Sequence, residues 1–281
     1  MIQYLIRLSK RFAILLPGIF IAYISVRDVF PYFDRRLPLA LAIFITYVLG
    51  AYLFVPALIR AYRIFRPADH LPVYCVTPDG FASDPMNIGI IGTRRQLIKA
   101  MQEAGWYMAD PHKGRYLIRH GLSFAFGWEY PNAPVSSLYL FGRKQDLAFE
   151  IPVSGGGAGN RHHVRFWATT YEEGKKLAVH TIHWQQRSSR VKGDNLLWVG
   201  AASLDIGIAP IRHNMQLTHM IHPDTNRERE LIVEQLDTNH LIKRKTTVKL
   251  EKPYRLMNRA FRGYLHSDGL MTIIWLHQNK P

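Results

Sequence analysis

NIGIIGTRRQLIKAMQEAGW, residues 87–106, carries the reading of the fold. Asn87 to Gly92 is a short apolar run with two isoleucines in sequence and reads as a buried strand. Thr93 then supplies a side-chain oxygen at the position where a helix needs its N-cap. Leu97, Ile98 and Met101 follow on one helical face, and Gly105 stands where the chain must turn left-handed to stop. A strand feeding directly into a helix marks the domain as α+β.

Strand patterns dominate in the chain beyond this unit. Leu138 to Phe141 and Leu147 to Ile151 read as a hairpin joined through Gly142 to Asp146. Arg161 to Ala168, Leu177 to Trp184, Leu196 to Asp205 and Met271 to Leu276 add further strands, with a helix from Pro223 to about Leu236. Residues 67–86 are broken by Pro67, Pro72 and Pro78 and read as extended. The expectation is one mixed, mostly antiparallel sheet with a few helices over 67–281.

Residues 1–66 differ in kind. Leu37 to Ile59 is 23 residues without a charge. At about 1.5 Å per residue it reaches roughly 35 Å, enough for a hydrocarbon core of about 30 Å. Phe12 to Val26 is apolar but only 15 residues long and interrupted by Pro17-Gly18, so spanning requires Arg27 to snorkel and the span to run on to Phe30. A signal peptide is the competing reading, although no small-residue cleavage site follows. The expectation is a two-helix transmembrane hairpin with spans at 12–30 and 37–59. Arg7, Lys10, Arg11, Arg60, Arg63 and Arg66 flank the pair against Arg27, Arg35 and Arg36 between, which places both termini and the domain in the cytoplasm.

Charge and cysteine usage narrow the chemistry. The formal charge is +15, from 36 Lys and Arg against 21 Asp and Glu, with +7 in residues 1–66 and +8 in the rest. That excess suits anionic headgroups or a phosphate-bearing ligand, and basic flanks common to membrane proteins account for part of it. Nucleic acid ranks last among partners, because no stacking platform or known motif accompanies the charge. Cys75 is the sole cysteine, so intrachain disulfides and multi-cysteine zinc sites are excluded. Ser154 to Gly159 (SGGGAG) lacks the Lys and helix of a phosphate loop and reads as a flexible connection. No Gly-x-Ser-x-Gly, dinucleotide-binding or kinase pattern is present.

Three clusters concentrate reactive side chains. On a strand, Arg161, His163, Arg165 and Trp167 share one face and His162, Val164 and Phe166 the other. The first face is a candidate anion cradle, or equally a solvated basic surface, and His162 reads as a core or supporting histidine. Asp205 ends a small-residue strand, where an acid serves as metal ligand, general base or turn residue. Thr218 to Glu230 holds His219, His222, Asp224 and Glu228, donors of the type that bind a divalent metal. A capping box over Thr225 and Glu228 explains part of that run without a ligand. His180 and His183 fall on opposite strand faces and read as ordinary.

Taken in order, Pro134 to Phe149, Arg161 to Trp167, Trp198 to Asp205 and Thr218 to Arg229 resemble the LssY C-terminal domain family, as do Asp84 to Gly92 and Ala104-Gly-Trp106. The resemblance runs over about 70–240 and implies a bacterial inner-membrane setting connected with lipid or envelope biology. It further implies that Arg143, Asp146, His162, His163, Arg165, Asp205, His219, Asp224, Glu228 and Arg229 form a shared site. Asn226 stands where the family pattern tends to be acidic, which weakens a carboxylate-rich metal site.

Two functions follow as expectations. One is a membrane-anchored accessory domain that binds an anionic, phosphate- or lipid-type ligand, or another membrane protein, through Arg143, Arg165 and Arg229. The other is a metal-assisted hydrolase of a phosphate ester or lipid-linked substrate, with His163, His219 and Asp205 catalytic and His219, Asp224 and Asp205 as metal ligands. The cofactor is left open, a divalent metal being the one these donors imply.

Overall fold

The computed structural model describes residues 19–58, 71–78, 80–111, 113–128, 130–140, 142–153, 159–170, 196–210, 217–257 and 263–277. The expected strand at Leu177 to Trp184, His180 and His183, most of the glycine run, and the start of the first apolar segment lie outside these residues. By contact the chain divides into two units, Met1–Arg66 with Pro78–Phe81, and Pro67–Thr77 with Ala82–Pro281.

In the first unit, α1 (19–34) includes a π-helical turn over Ser25–Val29. Helix α2 (Leu39–Leu58) starts after Pro38, whose fixed φ suits a helix entry. Among the described residues, α2 is the helix long and apolar enough to cross a membrane, by length and composition. Phe44 and Leu53 on it are exposed, unlike the side chains of a buried core helix. Of the two expected spans the second therefore has a candidate among the described residues, and the start of the first lies outside them.

The second unit is α+β with mostly antiparallel sheets. In chain order it holds β1 (Tyr74–Val76), β2 (Ala82–Pro85), β3 (Ile88–Gly92), α3 (Arg94–Glu103), β4 (Tyr107–Met108), α4 (Gly114–Phe126), β5 (Tyr139–Leu140), β6 (Arg143–Lys144) and β7 (Leu147–Pro152). Then come β8 (Asn160–Thr170), β9 (Leu196–Pro210), β10 (Leu217–Ile221), α5 (Asn226–Thr238), β11 (Ile242–Lys249), β12 (Tyr254–Met257), β13 (Tyr264–Ser267) and β14 (Leu270–Leu276). The large sheet runs β11-β14-β3-β9-β8-β7-β4, with β10 also on β9. Among the described residues, only its β14–β3 pair is parallel. A small sheet runs β2-β1-β5-β6, and β12 pairs β13.

Both faces of the large sheet are buried, and the period of two sorts the side chains between them. Ile88, Ile90, Phe166, Trp198 and Ile274 pack with Leu97 and Met101 of α3 and with Ile232 and Leu236 of α5. Ile91, Trp167, Leu197, Val199 and Ile273 pack on the opposite side with Cys75, Leu138 and Leu140. Gly200 is required where β9 crosses this packing, because a Cβ there would stand 2.7 Å from both Ile88 Cγ2 and Phe166 Cε1. The helix expected after Gly92 forms with a full capping box: Gln96 N donates to Thr93 Oγ1 at 3.1 Å and Thr93 N to Gln96 Oε1 at 2.7 Å.

Two local expectations fail for physical reasons. The chain does not make a hairpin of β5 with β7; Gly142, at φ +76°, turns β5 back onto β6, and β7 then enters the large sheet beside β8. The expected capping box at Thr225 is also absent. Thr225 Oγ1 donates to the His266 carbonyl at 2.9 Å, and Glu228 turns to His162, so the Asp224 carboxylate takes the Asn226 amide at 3.0 Å instead. Helix α4 has no counterpart in the sequence reading.

Candidate functional site

The face of β8 that carries Trp167 becomes polar further along the strand. Across the β8–β9 ladder Arg165 faces Ala201, His163 faces Ser203 and Arg161 faces Asp205. On the other flank Glu150 of β7 faces His163. These polar side chains share one patch of sheet, and all of them are buried. Asp84, on β2 of the small sheet, reaches the same patch.

Asp84 is the hub of one half. Arg165 donates from a terminal nitrogen to Asp84 Oδ2 at 2.7 Å and from its other nitrogens to the Ser136 carbonyl (3.1 Å) and hydroxyl (3.0 Å). His163 Nε2 lies 3.3 Å from the same Asp84 oxygen and 3.1 Å from Ser203 Oγ. Burial resists charge on Asp84, but Arg165, His163 and Ser203 together outweigh it and hold the carboxyl down at about 2.

Asp205 is the hub of the other half. Its Oδ2 lies 3.4 Å from His163 Nδ1 and 3.2 Å from His219 Nδ1. His219 comes from β10, beside a register irregularity between His219 and Ile221. Burial pushes the His163 pKa down, yet the Asp205 and Asp84 carboxylates together override this and raise it to about 9. For Asp205 itself, burial is outweighed by His163 and then His219, which keep the carboxyl low. Burial prevails at His219, whose pKa falls below 6.5 despite Asp205, leaving a neutral imidazole at pH 7. Burial also lifts the Glu150 carboxyl to about 7 against the pull of Arg161, which donates to it at 2.7 Å.

Neither imidazole nitrogen facing Asp205 is aligned as a hydrogen bond. His163 Nδ1, His219 Nδ1, Asp205 Oδ1 and Glu150 Oε1 are buried polar atoms without a hydrogen-bond partner. Such atoms cost about 1–3 kcal/mol each and concentrate at functional sites. The His219 side chain is 27% exposed against 1% for His163, so the cluster reaches solvent at His219.

The structure brings His163, Arg165, Asp205 and His219 together and sends the other expected residues elsewhere. His162 points to the opposite face and pairs with Glu228 of α5 at 2.9 Å. Arg143 is held by Asp146 at 2.8 Å and by the Ala168 carbonyl. Arg229 makes a two-pronged pair with Asp268, at 3.0 and 2.7 Å. Asp224 serves the start of α5 and its bridge to His266. Among the described residues no group of three or more His, Cys, Asp or Glu could hold a metal ion. Asp84, Ser203 and Glu150 belong to the cluster and were not singled out from sequence; the signal for Asp84 was an acid immediately before an apolar strand.

A family model described as LssY C-terminus matches residues 68–271. No curated protein and no solved structure matches the chain.

Proposed function

The chain belongs to the LssY C-terminus family, and from that premise we propose that it is a membrane-anchored accessory module holding an anionic, phosphate- or lipid-type ligand at His219. The observation that carries the reading is the half-exposed His219 imidazole at the mouth of a buried cluster whose His163, Asp205 and His219 make contacts with one another that are not aligned hydrogen bonds. An anion seated there accepts a hydrogen bond from the His219 imidazole, which reaches solvent. Arg161, Arg165 and a protonated His163 stand against the ionised Asp84 and Asp205, with Glu150 only half-ionised near pH 7. The balance favours a negative ligand by a small margin, and protonating His219 widens it. The placement proposed for the whole chain is the bacterial inner membrane, with two spans and the domain in the cytoplasm. The six-to-three distribution of basic residues around the apolar segments supports it.

The test is titration of the full-length protein in neutral detergent with inorganic phosphate and, separately, a short-chain phosphatidic acid, following histidine resonances. The reading expects saturable binding that strengthens as pH falls through the His219 range and disappears in His219→Ala. Absence of saturation with both probes, or equal binding by His219→Ala, overturns it.

A hydrolytic reading rests on one specific feature, the neutral His219 beside the Asp205 carboxylate, an arrangement able to take a proton from an attacking water. It expects turnover of a phosphate monoester or diester, with or without added Zn²⁺ or Mn²⁺, that is lost in both His219→Ala and Asp205→Asn. Turnover indifferent to those substitutions rejects it.

A further inference from the structure

Helix α4 carries three exposed apolar side chains. Ile118, Leu122 and Phe126 are 66%, 43% and 64% exposed, while Ser123 is buried and Tyr116 and His120 are half-buried. The three apolar residues recur every four positions and form one stripe. Arg115 and Arg119 have the same spacing and run beside it. Gly127, at φ +69°, ends the helix in a left-handed turn, and the Trp128 amide returns to the Ser123 carbonyl at 3.0 Å. That turn brings the Trp128 ring, 58% exposed, onto Phe126 with centroids 5.3 Å apart and planes 21° from parallel.

A water-facing helix has no reason to array isoleucine, leucine, phenylalanine and tryptophan in one contiguous stripe. The charges on the same stretch are of one sign. Lys113, Arg115 and Arg119 are basic, and no Asp or Glu occurs from Pro111 to Trp128. Both arginines lie over aromatic rings, Arg115 at 4.5 Å from the Tyr116 centroid and Arg119 at 4.3 Å from that of Tyr130, which keeps the guanidinium groups beside the stripe. Apolar stripe, terminal tryptophan and flanking cations are what a headgroup–acyl boundary selects. The same chain carries α2, a helix long and apolar enough to cross a bilayer, and a chain so anchored keeps its domain within reach of the lipid surface.

We propose that α4 and Trp128 form an interfacial contact that lies in the surface of an anionic lipid bilayer, with Ile118, Leu122, Phe126 and Trp128 inserted and Lys113, Arg115 and Arg119 at the headgroups. The contact uses no residue of the His219 site and is independent of the function proposed for it. It makes the domain a peripheral binder in its own right, orienting it at the membrane beyond what a tether achieves.

The test places a spin label at Leu122→Cys or Phe126→Cys in the full-length protein, with Glu251→Cys as a water-exposed control. Cys75 is fully buried and stays unlabelled. The protein is reconstituted in phosphatidylcholine vesicles with and without phosphatidylglycerol. With the anionic lipid, labels on α4 gain oxygen contact and lose contact with an aqueous nickel reagent, while the control does not. Arg115→Glu with Arg119→Glu weakens the response by roughly fivefold per charge removed. Labels at 122 and 126 that remain as water-accessible as the control overturn the proposal. Spin–spin broadening that rises with protein-to-lipid ratio and ignores lipid charge also overturns it, in favour of contact with a second copy.

Discussion

Replacing Asp205 by Asn tests the electrostatic account of the cluster with almost no change of shape. Burial and the repulsion of Arg165 lower the pKa of His163, but the Asp205 carboxylate together with Asp84 outweighs them and raises it from 6.5 to about 9. A histidine with a raised folded-state pKa contributes stability that is complete below its unfolded value and lost as pH rises through its folded one. The window is therefore pH 6.5 to about 9, and the loss across it is on the order of 3 kcal/mol. In Asp205→Asn, burial and Arg165 act unopposed by that carboxylate, so His163 gives up its proton at lower pH and most of the slope disappears. Glu150 acts mostly below this window and overlaps its lower end, since its carboxyl rises from 4.5 to about 7 and its contribution is lost as pH rises through that value, while Cys75 acts only above its ordinary 9. The assay is chemical unfolding of the full-length protein in neutral detergent at steps across the window, with the His163 ring resonance followed in parallel. A wild-type stability that is flat from pH 6.5 to 9, or a His163 midpoint unmoved in Asp205→Asn, refutes the reasoning.

Other consequences are local. Gly200→Ala puts a methyl group 2.7 Å from Ile88 Cγ2 and Phe166 Cε1, and denaturation should register a loss of about 1–3 kcal/mol. Asn87→Ala removes two donated bonds, to the Ala202 and Thr225 carbonyls at 2.9 and 3.1 Å, and one accepted from the Ala202 amide at 3.0 Å. Because those backbone groups stay buried, the same measurement should show about 2–4 kcal/mol. Cys75 is fully buried and its thiol is pushed well above its ordinary range, first by burial and then by Asp84, so a thiol reagent should leave it untouched in the native protein and modify it on unfolding.

What could be read from sequence divides along physical lines. Alternation is a local property, so residue spacing alone puts Arg161, His163 and Arg165 on one face of β8 and His162 on the other, and both faces are as expected. The N-cap at Thr93 was legible for the same reason, its partner Gln96 lying three residues away. Asp84 was not: it meets His163 from 79 residues earlier, on a strand of the other sheet, and only the packing of two sheets makes them neighbours. The error at Thr225 has the same origin. Local spacing offered Glu228 to the helix start, but β8 brings His162 within 2.9 Å of it, and the carboxylate is taken up there. Helix α4 escaped notice for the opposite reason. Its apolar stripe faces away from the core and two glycines lower its propensity, so neither inward patterning nor composition marks it as a helix. That failure is itself informative, because a sequence departs from inward patterning where something other than its own core is to be met. Among the described residues, the outward face of α4 and the cluster mouth at His219 are two places where this domain is incomplete by itself.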